Sequence, residues 1–211
     1  IREYIEEADI EAENAYFEAE YRTAVRRLLN RVYLFGVDIS ELSRQQNLSV
    51  AYVTLSAKPK SIQSQHSQQK PGSLEAQELS TDRLLKGAKR LLITGRAGSG
   101  KTTLLKWIAV QAALQRFQAE LSDLNTKVPF FIRLRKFSEQ HLPSPDRFPG
   151  LLSAYMDANM PQNWAKEQLR TGRAILLVDG IDEVSDTQHQ QVRDWLDELL
   201  TVYPEVICIL S

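Results

Sequence analysis

The sequence predicts an α/β protein built on a parallel sheet, and three observations carry that expectation. Strand-like and helix-like stretches alternate over residues 79–211, the pattern of strands joined by crossover helices. A glycine-rich turn, Gly95 to Gly100, separates the apolar run Arg90–Thr94 from a helix-like stretch that opens at Lys101. A second run, Ala174 to Val178, is apolar without alternation and ends on Asp179, as a strand buried on both faces does.

The chain before that region divides in two. Residues 1–57 read as a helical leader with a short extended segment. Phe17, Tyr21, Ala24, Leu28, Val32 and Phe35 recur at three- and four-residue steps, which predicts one buried helix face. Arg22, Arg26, Arg27 and Arg31 fall largely off that stripe and read as a solvated face, with Glu18 four residues before Arg22 in the order that favours a helical ion pair. Gly36 is a plausible stop, and Leu48 to Leu55 is rich in β-formers. Residues 58–78 read as a flexible linker. Its Ser, Gln, Lys, Pro and Gly cannot bury enough surface to offset ordering entropy. Limited proteolysis is therefore expected to cut first at Lys58, Lys60 or Lys70, and slow amide exchange across the stretch would contradict this. His66 has no second ligand nearby and reads as part of the linker.

Within residues 79–211, strands are expected at Arg90–Thr94, Val128–Leu134, Ala174–Val178 and Val206–Leu210. Helices are expected over Lys101–Ala119, Leu151–Asn159 and Thr187–Tyr203. Trp107 and Trp195 sit at helical spacing among apolar residues and read as core. His141 and His189 have no metal-ligand partners in sequence. Arg133 and Arg135 alternate with apolar neighbours and are expected on one exposed strand face.

Composition narrows the class. At 211 residues, 43% hydrophobic, 25% charged and a net charge of -1, the chain can bury one good core and a small second unit. That balance gives no bulk attraction to nucleic acid, though it allows a local patch. The single cysteine, Cys208, lies in an apolar run and reads as a buried structural thiol, consistent with a reducing, cytoplasmic setting. No apolar run approaches the ~18 residues that suggest a membrane-spanning helix, and no signal-peptide pattern opens the chain. Beginning at Ile1 and stopping at Ser211 after a strand-like run, the chain reads as a fragment.

The spacing Gly95-x-x-x-x-Gly100-Lys101-Thr102, with Gly98 between, is the Walker A phosphate-binding pattern. Glycines let backbone N–H groups approach an anion, and the following helix turns its positive end toward the same place. The expected phosphate cradle is Gly95, Arg96, Ala97, Gly98, Ser99, Gly100, Lys101, Thr102 and Thr103. Lys101 adds a full charge for the outer phosphates, and the Thr102 hydroxyl is suited to Mg²⁺. A magnesium-bound phosphate also needs an acidic site at the end of another buried strand. "AILLVDGIDEV", Ala174 to Val184, supplies it: Asp179 as metal partner, Gly180 as open space, and Asp182 and Glu183 beyond. One of those two is expected to orient or deprotonate water, and the longer reach of Glu183 favours it.

Both motifs together resemble the NACHT branch of the STAND nucleotide-triphosphatases, relatives of the AAA+ ATPases. "LLITGRAGSGKTTLLKWIA", "VPFFIRLRKF" and "LLVDGIDEV" carry the resemblance, and the leader is similar in "YLFGV" and "LSVAYVTL". The resemblance implies a three-layer P-loop fold in which the strand Val206–Leu210 inserts between the Walker A and Walker B strands. It implies a switch that binds ATP or ADP with Mg²⁺, hydrolyses ATP, and self-associates when activated. It further implies a role in bacterial innate immunity, including antiphage defence, with a protein or nucleic-acid trigger. Family members continue into a Ser-Arg or Thr-Arg pair and clamping domains, so the fragment alone is expected to turn over slowly. The alternatives are a nucleotide-dependent scaffold without catalysis, or another AAA+-like P-loop ATPase. A small GTPase is disfavoured, because Asn125-Thr126-Lys127-Val128 lacks the aspartate of a guanine-reading Asn-Lys-x-Asp loop; ATP is thus favoured over GTP.

Overall fold

The computed structural model describes residues 2–30, 33–34, 37–38, 85–137 and 141–211. The expected linker, the 48–55 segment, Arg31, Val32, Phe35, Gly36 and His66 lie outside the described residues.

Helix α1 spans Arg2–Leu29. Its second half docks on the rest of the molecule through Phe17, Tyr21, Val25 and Leu29, all buried. The stripe therefore advances in steps of four and leaves Leu28 47% exposed, unlike the expected Ala24–Leu28 face. Adjacent helical residues point about 100° apart, so burying Leu29 leaves Leu28 at the rim of the same cleft beside Phe131. Higher on the stripe, Phe17 and Tyr21 pack against the ring of Trp164 at centroid distances of 4.8 and 5.5 Å.

Arg22 corrects the solvated-face expectation. It is 8% exposed, pairs with Glu18 at 2.8 Å and donates from Nη1 to the Ala112 carbonyl at 2.7 Å. Glu18 also holds Arg173, at the entry to a central strand, at 2.8 Å. The Glu18–Arg22 pair was legible as a helical i,i+4 pair; its burial needed tertiary contacts. Tyr21 donates its hydroxyl to Pro129 O at 2.9 Å, and burial pushes its phenol pKa up. Tyr21→Phe leaves that buried carbonyl without its donor, so a loss of about 1–3 kcal/mol is expected in denaturant unfolding, with the fold retained.

A small antiparallel pair, β1 (Tyr33–Leu34) and β2 (Val37–Asp38), follows α1. The main sheet contains β3 (Arg90–Leu92), β4 (Val128–Arg133), β5 (Ala174–Asp179) and β6 (Ile207–Leu210). All its pairings are parallel, in the order β3-β6-β5-β4. Thus β6 inserts between β3 and β5, as the resemblance implied. Ala174 to Val178 are all fully buried, which explains their unbroken apolar run. Cys208 is buried on β6, and that burial pushes its thiol up to about 12, so it stays protonated at neutral pH.

Helix α2 (Lys101–Leu114) ends five residues before the expected Ala119. Gln115 turns left-handed (φ 54°) and bonds back to Ala112 O at 3.1 Å. Asn125 then fixes the departing chain: its amide accepts from Phe117 N at 2.8 Å and donates to Phe117 O at 2.9 Å. The apolar period does run on into Phe117, but that ring packs edge-on against Trp107 from outside the helix. Residues 119–126 form a 3₁₀ segment instead.

The expected Leu151–Asn159 helix is shorter, α3 (Ala154–Ala158), because Pro149 opens a separate 3₁₀ turn and Ser153 caps α3. Helix α4 (Trp164–Arg170) was not anticipated; seven mostly polar residues give too little periodicity to read. Yet it delivers the fully buried Trp164. Helix α5 (Asp186–Val202) matches expectation within a residue, started by a Ser185–Gln188 capping box.

Candidate functional site

In a parallel sheet with crossover helices, the crevice beyond the carboxyl ends of the strands is the usual ligand site. Here β3, β5 and β6 end together. β3 runs into the glycine loop, where Gly98 (φ 78°) and Gly100 (φ 91°) adopt backbone that other residues rarely take. A Cβ built on either meets nothing within 4 Å, so their need is conformational and the space before them is open. Gly95, Arg96 and Ala97 are exposed along the loop, and Ser99 N closes it onto Arg96 O at 3.1 Å. Ser99 Oγ is buried and finds no hydrogen-bond partner among the described residues.

Helix α2 begins directly at Lys101, and no side chain caps its N-terminus. The first N–H groups of a helix lack intrahelical partners, so this end suits an anion. Lys101 Nζ turns back to Gly95 O at 2.9 Å and Asp182 Oδ2 at 3.0 Å, with its side chain only 10% exposed. Thr102 Oγ1 donates to Asp179 Oδ1 at 2.7 Å, and Thr103 follows, half-buried, in the same turn.

Asp179 ends β5. After it Gly180 is left-handed (φ 91°) and Ile181–Glu183 make one 3₁₀ turn. This turn separates the two acids: Asp182 goes to Lys101, while the Glu183 carboxylate makes no hydrogen bond or ion pair with a described residue. Glu183 folds over Gly180, its Oε2 3.4 Å from where a Cβ there would stand.

The structure thus makes two contacts between the start of α2 and the end of β5, Thr102–Asp179 and Lys101–Asp182, with Glu183 beside them. It adds a contact not expected from sequence: Ser211, which the resemblance placed only at the family's Ser-Arg pair, donates its hydroxyl to Asp179 Oδ1 at 3.0 Å. The available signal was a small hydroxyl residue closing the strand that neighbours β5.

Cations flank the far side. Arg133 stands opposite Asp179 in the β4–β5 register, its guanidinium 5.4 Å from the Phe131 ring centre. Lys106 lies one turn beyond Thr102 on α2. Burial, then Arg133, lowers its pKa, and Asp179 opposes the shift. Arg135 lies in the 3₁₀ turn Leu134–Phe137, past the end of β4, so the two arginines do not share a strand face as expected. Trp195 is half-buried with Nε1 on Pro143 O at 3.0 Å, and a His189 ring nitrogen lies 3.0 Å from Ile181 O.

The donor set fits a hard cation. Thr102 and Asp179 present oxygen only, which suits Mg²⁺. Among the described residues no group of three or more His, Cys, Asp or Glu side chains forms a metal site. Mg²⁺ tolerates that well, since it keeps several waters and takes phosphate oxygens rather than an all-protein cage.

A strand, a left-handed glycine loop, an uncapped helix opening on Lys-Thr, and a neighbouring-strand carboxylate bonded to that threonine define a P-loop nucleotide-binding protein. The chain belongs to the NACHT domain family, whose family model matches residues 89–211. That family is one of nucleotide-binding P-loop NTPases. No curated protein and no solved structure matches the chain. Among the described residues no helix is long and apolar enough to cross a membrane.

Proposed function

We propose that this chain is a signalling switch that binds ATP or ADP with Mg²⁺ at residues 95–103 and hydrolyses ATP, the bound nucleotide controlling self-assembly. The observation that carries it is the Thr102–Asp179 contact of 2.7 Å beneath an open glycine loop. It sets a hydroxyl and a carboxylate side by side where a phosphate-bound cation needs both. Family membership supports the same reading.

Thr102 and Asp179 would hold Mg²⁺, which when bound offsets phosphate charge and polarises the transferring group. The backbone N–H groups of residues 98–103 and the α2 dipole orient the phosphates. Lys101 leaves Asp182 for the outer phosphates, because a multiply charged anion outbids one carboxylate. Glu183 holds the attacking water and takes its proton at the carboxylate. Its longer reach, and a carboxylate with no partner among the described residues, support that role over Asp182. The switch is proposed to act in bacterial defence, antiphage defence included, answering a protein or nucleic-acid trigger. This part rests on the family resemblance alone.

Assembly is tested by light scattering on protein loaded with ATP or ADP. A larger mass with ATP and Glu183→Gln, which preserves the triphosphate, is the expected result. The same mass in both nucleotides, trigger present, would remove the switch from the reading.

A further inference from the structure

We propose that Ser211 is a positioning residue that fixes the metal-facing orientation of Asp179, an inference that rests on the nucleotide reading above. Ser211 is 3% exposed and makes four hydrogen bonds around the end of β5. Its N–H donates to Val178 O at 2.9 Å, and its carbonyl accepts from Gly180 N at 2.9 Å and Ile181 N at 2.7 Å. Those three bonds belong to the backbone, and any residue but proline could make them. The fourth requires a hydroxyl: Oγ donates to Asp179 Oδ1 at 3.0 Å.

Thr102 donates to the same oxygen from the other side, at 2.7 Å. Two donors on Oδ1 fix the rotation of the carboxylate and leave Oδ2 without a hydrogen bond to a described residue. Thr102 is itself a candidate cation ligand, so its hydroxyl is drawn upon when a cation binds. Ser211 makes no such second contact, and its bond keeps Oδ1 in place through loading and release. The backbone bonds from Gly180 and Ile181 lock the same serine to the turn that carries Asp182 and Glu183. One residue therefore ties the metal-facing acid and the water-facing acid to a single strand end. Partners of this kind typically change metal affinity by ~10–100-fold when removed.

The test compares the wild-type chain with Ser211→Ala and Ser211→Thr, titrating ADP by calorimetry with Mg²⁺ and with EDTA. Thermal unfolding of each confirms folding, since the alanine variant keeps all three backbone bonds. Ser211→Ala is expected to weaken ADP binding about tenfold in Mg²⁺ and to leave it unchanged in EDTA. Ser211→Thr, which keeps the hydroxyl, is expected to stay within about twofold of wild type in both. An alanine variant that matches wild type in Mg²⁺, or that loses equally with and without it, overturns the proposal while leaving the nucleotide reading intact. A wild-type chain that binds no nucleotide under either condition overturns both.

Discussion

Glu183→Gln is expected to leave nucleotide affinity near wild type and to slow hydrolysis by roughly 10²–10⁴-fold, the usual contribution of a general base. The substitution keeps size and shape and removes the charge and the ability to take a proton. Glu183 makes no bond with a described residue that the change would break, so its effect should be confined to the chemical step. Asp182→Asn behaves differently on this account. It frees Lys101 from a 3.0 Å ion pair, so triphosphate should bind at least as well as before. Single-turnover rates and affinities on both variants check the division of labour. A large rate loss in Asp182→Asn with little in Glu183→Gln would reverse it.

Lys101→Ala is expected to weaken ATP binding by roughly ten- to a hundredfold and ADP binding by less. A charge-assisted hydrogen bond contributes about 1.5–3 kcal/mol, and the lysine serves the outer phosphates. The lower end of that range is favoured, because the lysine must first give up Asp182 and Gly95 O. Alanine also leaves the Asp182 carboxylate facing the phosphates without its counter-ion, which keeps the loss from vanishing. Calorimetric titrations of both nucleotides give the ratio directly. Equal losses for ATP and ADP would place the lysine elsewhere along the phosphates.

What was legible in the sequence follows from where the information is local. A phosphate-binding loop requires fixed residue types at fixed spacing, so Gly95 to Thr102 could be read as a candidate cradle from sequence alone. Asp179 was legible because a fully buried strand has no polar residues to hide among. The strand insertion of β6 came from resemblance, since no local pattern encodes sheet order. Tertiary choices were opaque. Nothing near Leu28 or Leu29 says which is buried, and nothing near Arg22 says that Ala112 O awaits it. Helix α2 was read too long because Phe117 keeps the apolar period while Asn125, eight residues on, ends the helical path by bonding its backbone. The Ser211 bond to Asp179 was opaque for the same reason, since it forms only where β6 and β5 lie side by side.

The central claim is that Thr102 and Asp179 together make a magnesium-nucleotide site. Asp179→Asn tests it most directly, because asparagine keeps an oxygen for both hydroxyl donors while removing the charge and the second oxygen that a cation would use. Titrating ATP into wild type and Asp179→Asn, each with Mg²⁺ and with EDTA, gives four affinities. The account predicts that Mg²⁺ strengthens binding to wild type and that the variant loses this gain while matching wild type in EDTA. Binding that ignores Mg²⁺ in the wild type, or a variant that keeps the full gain, would contradict it.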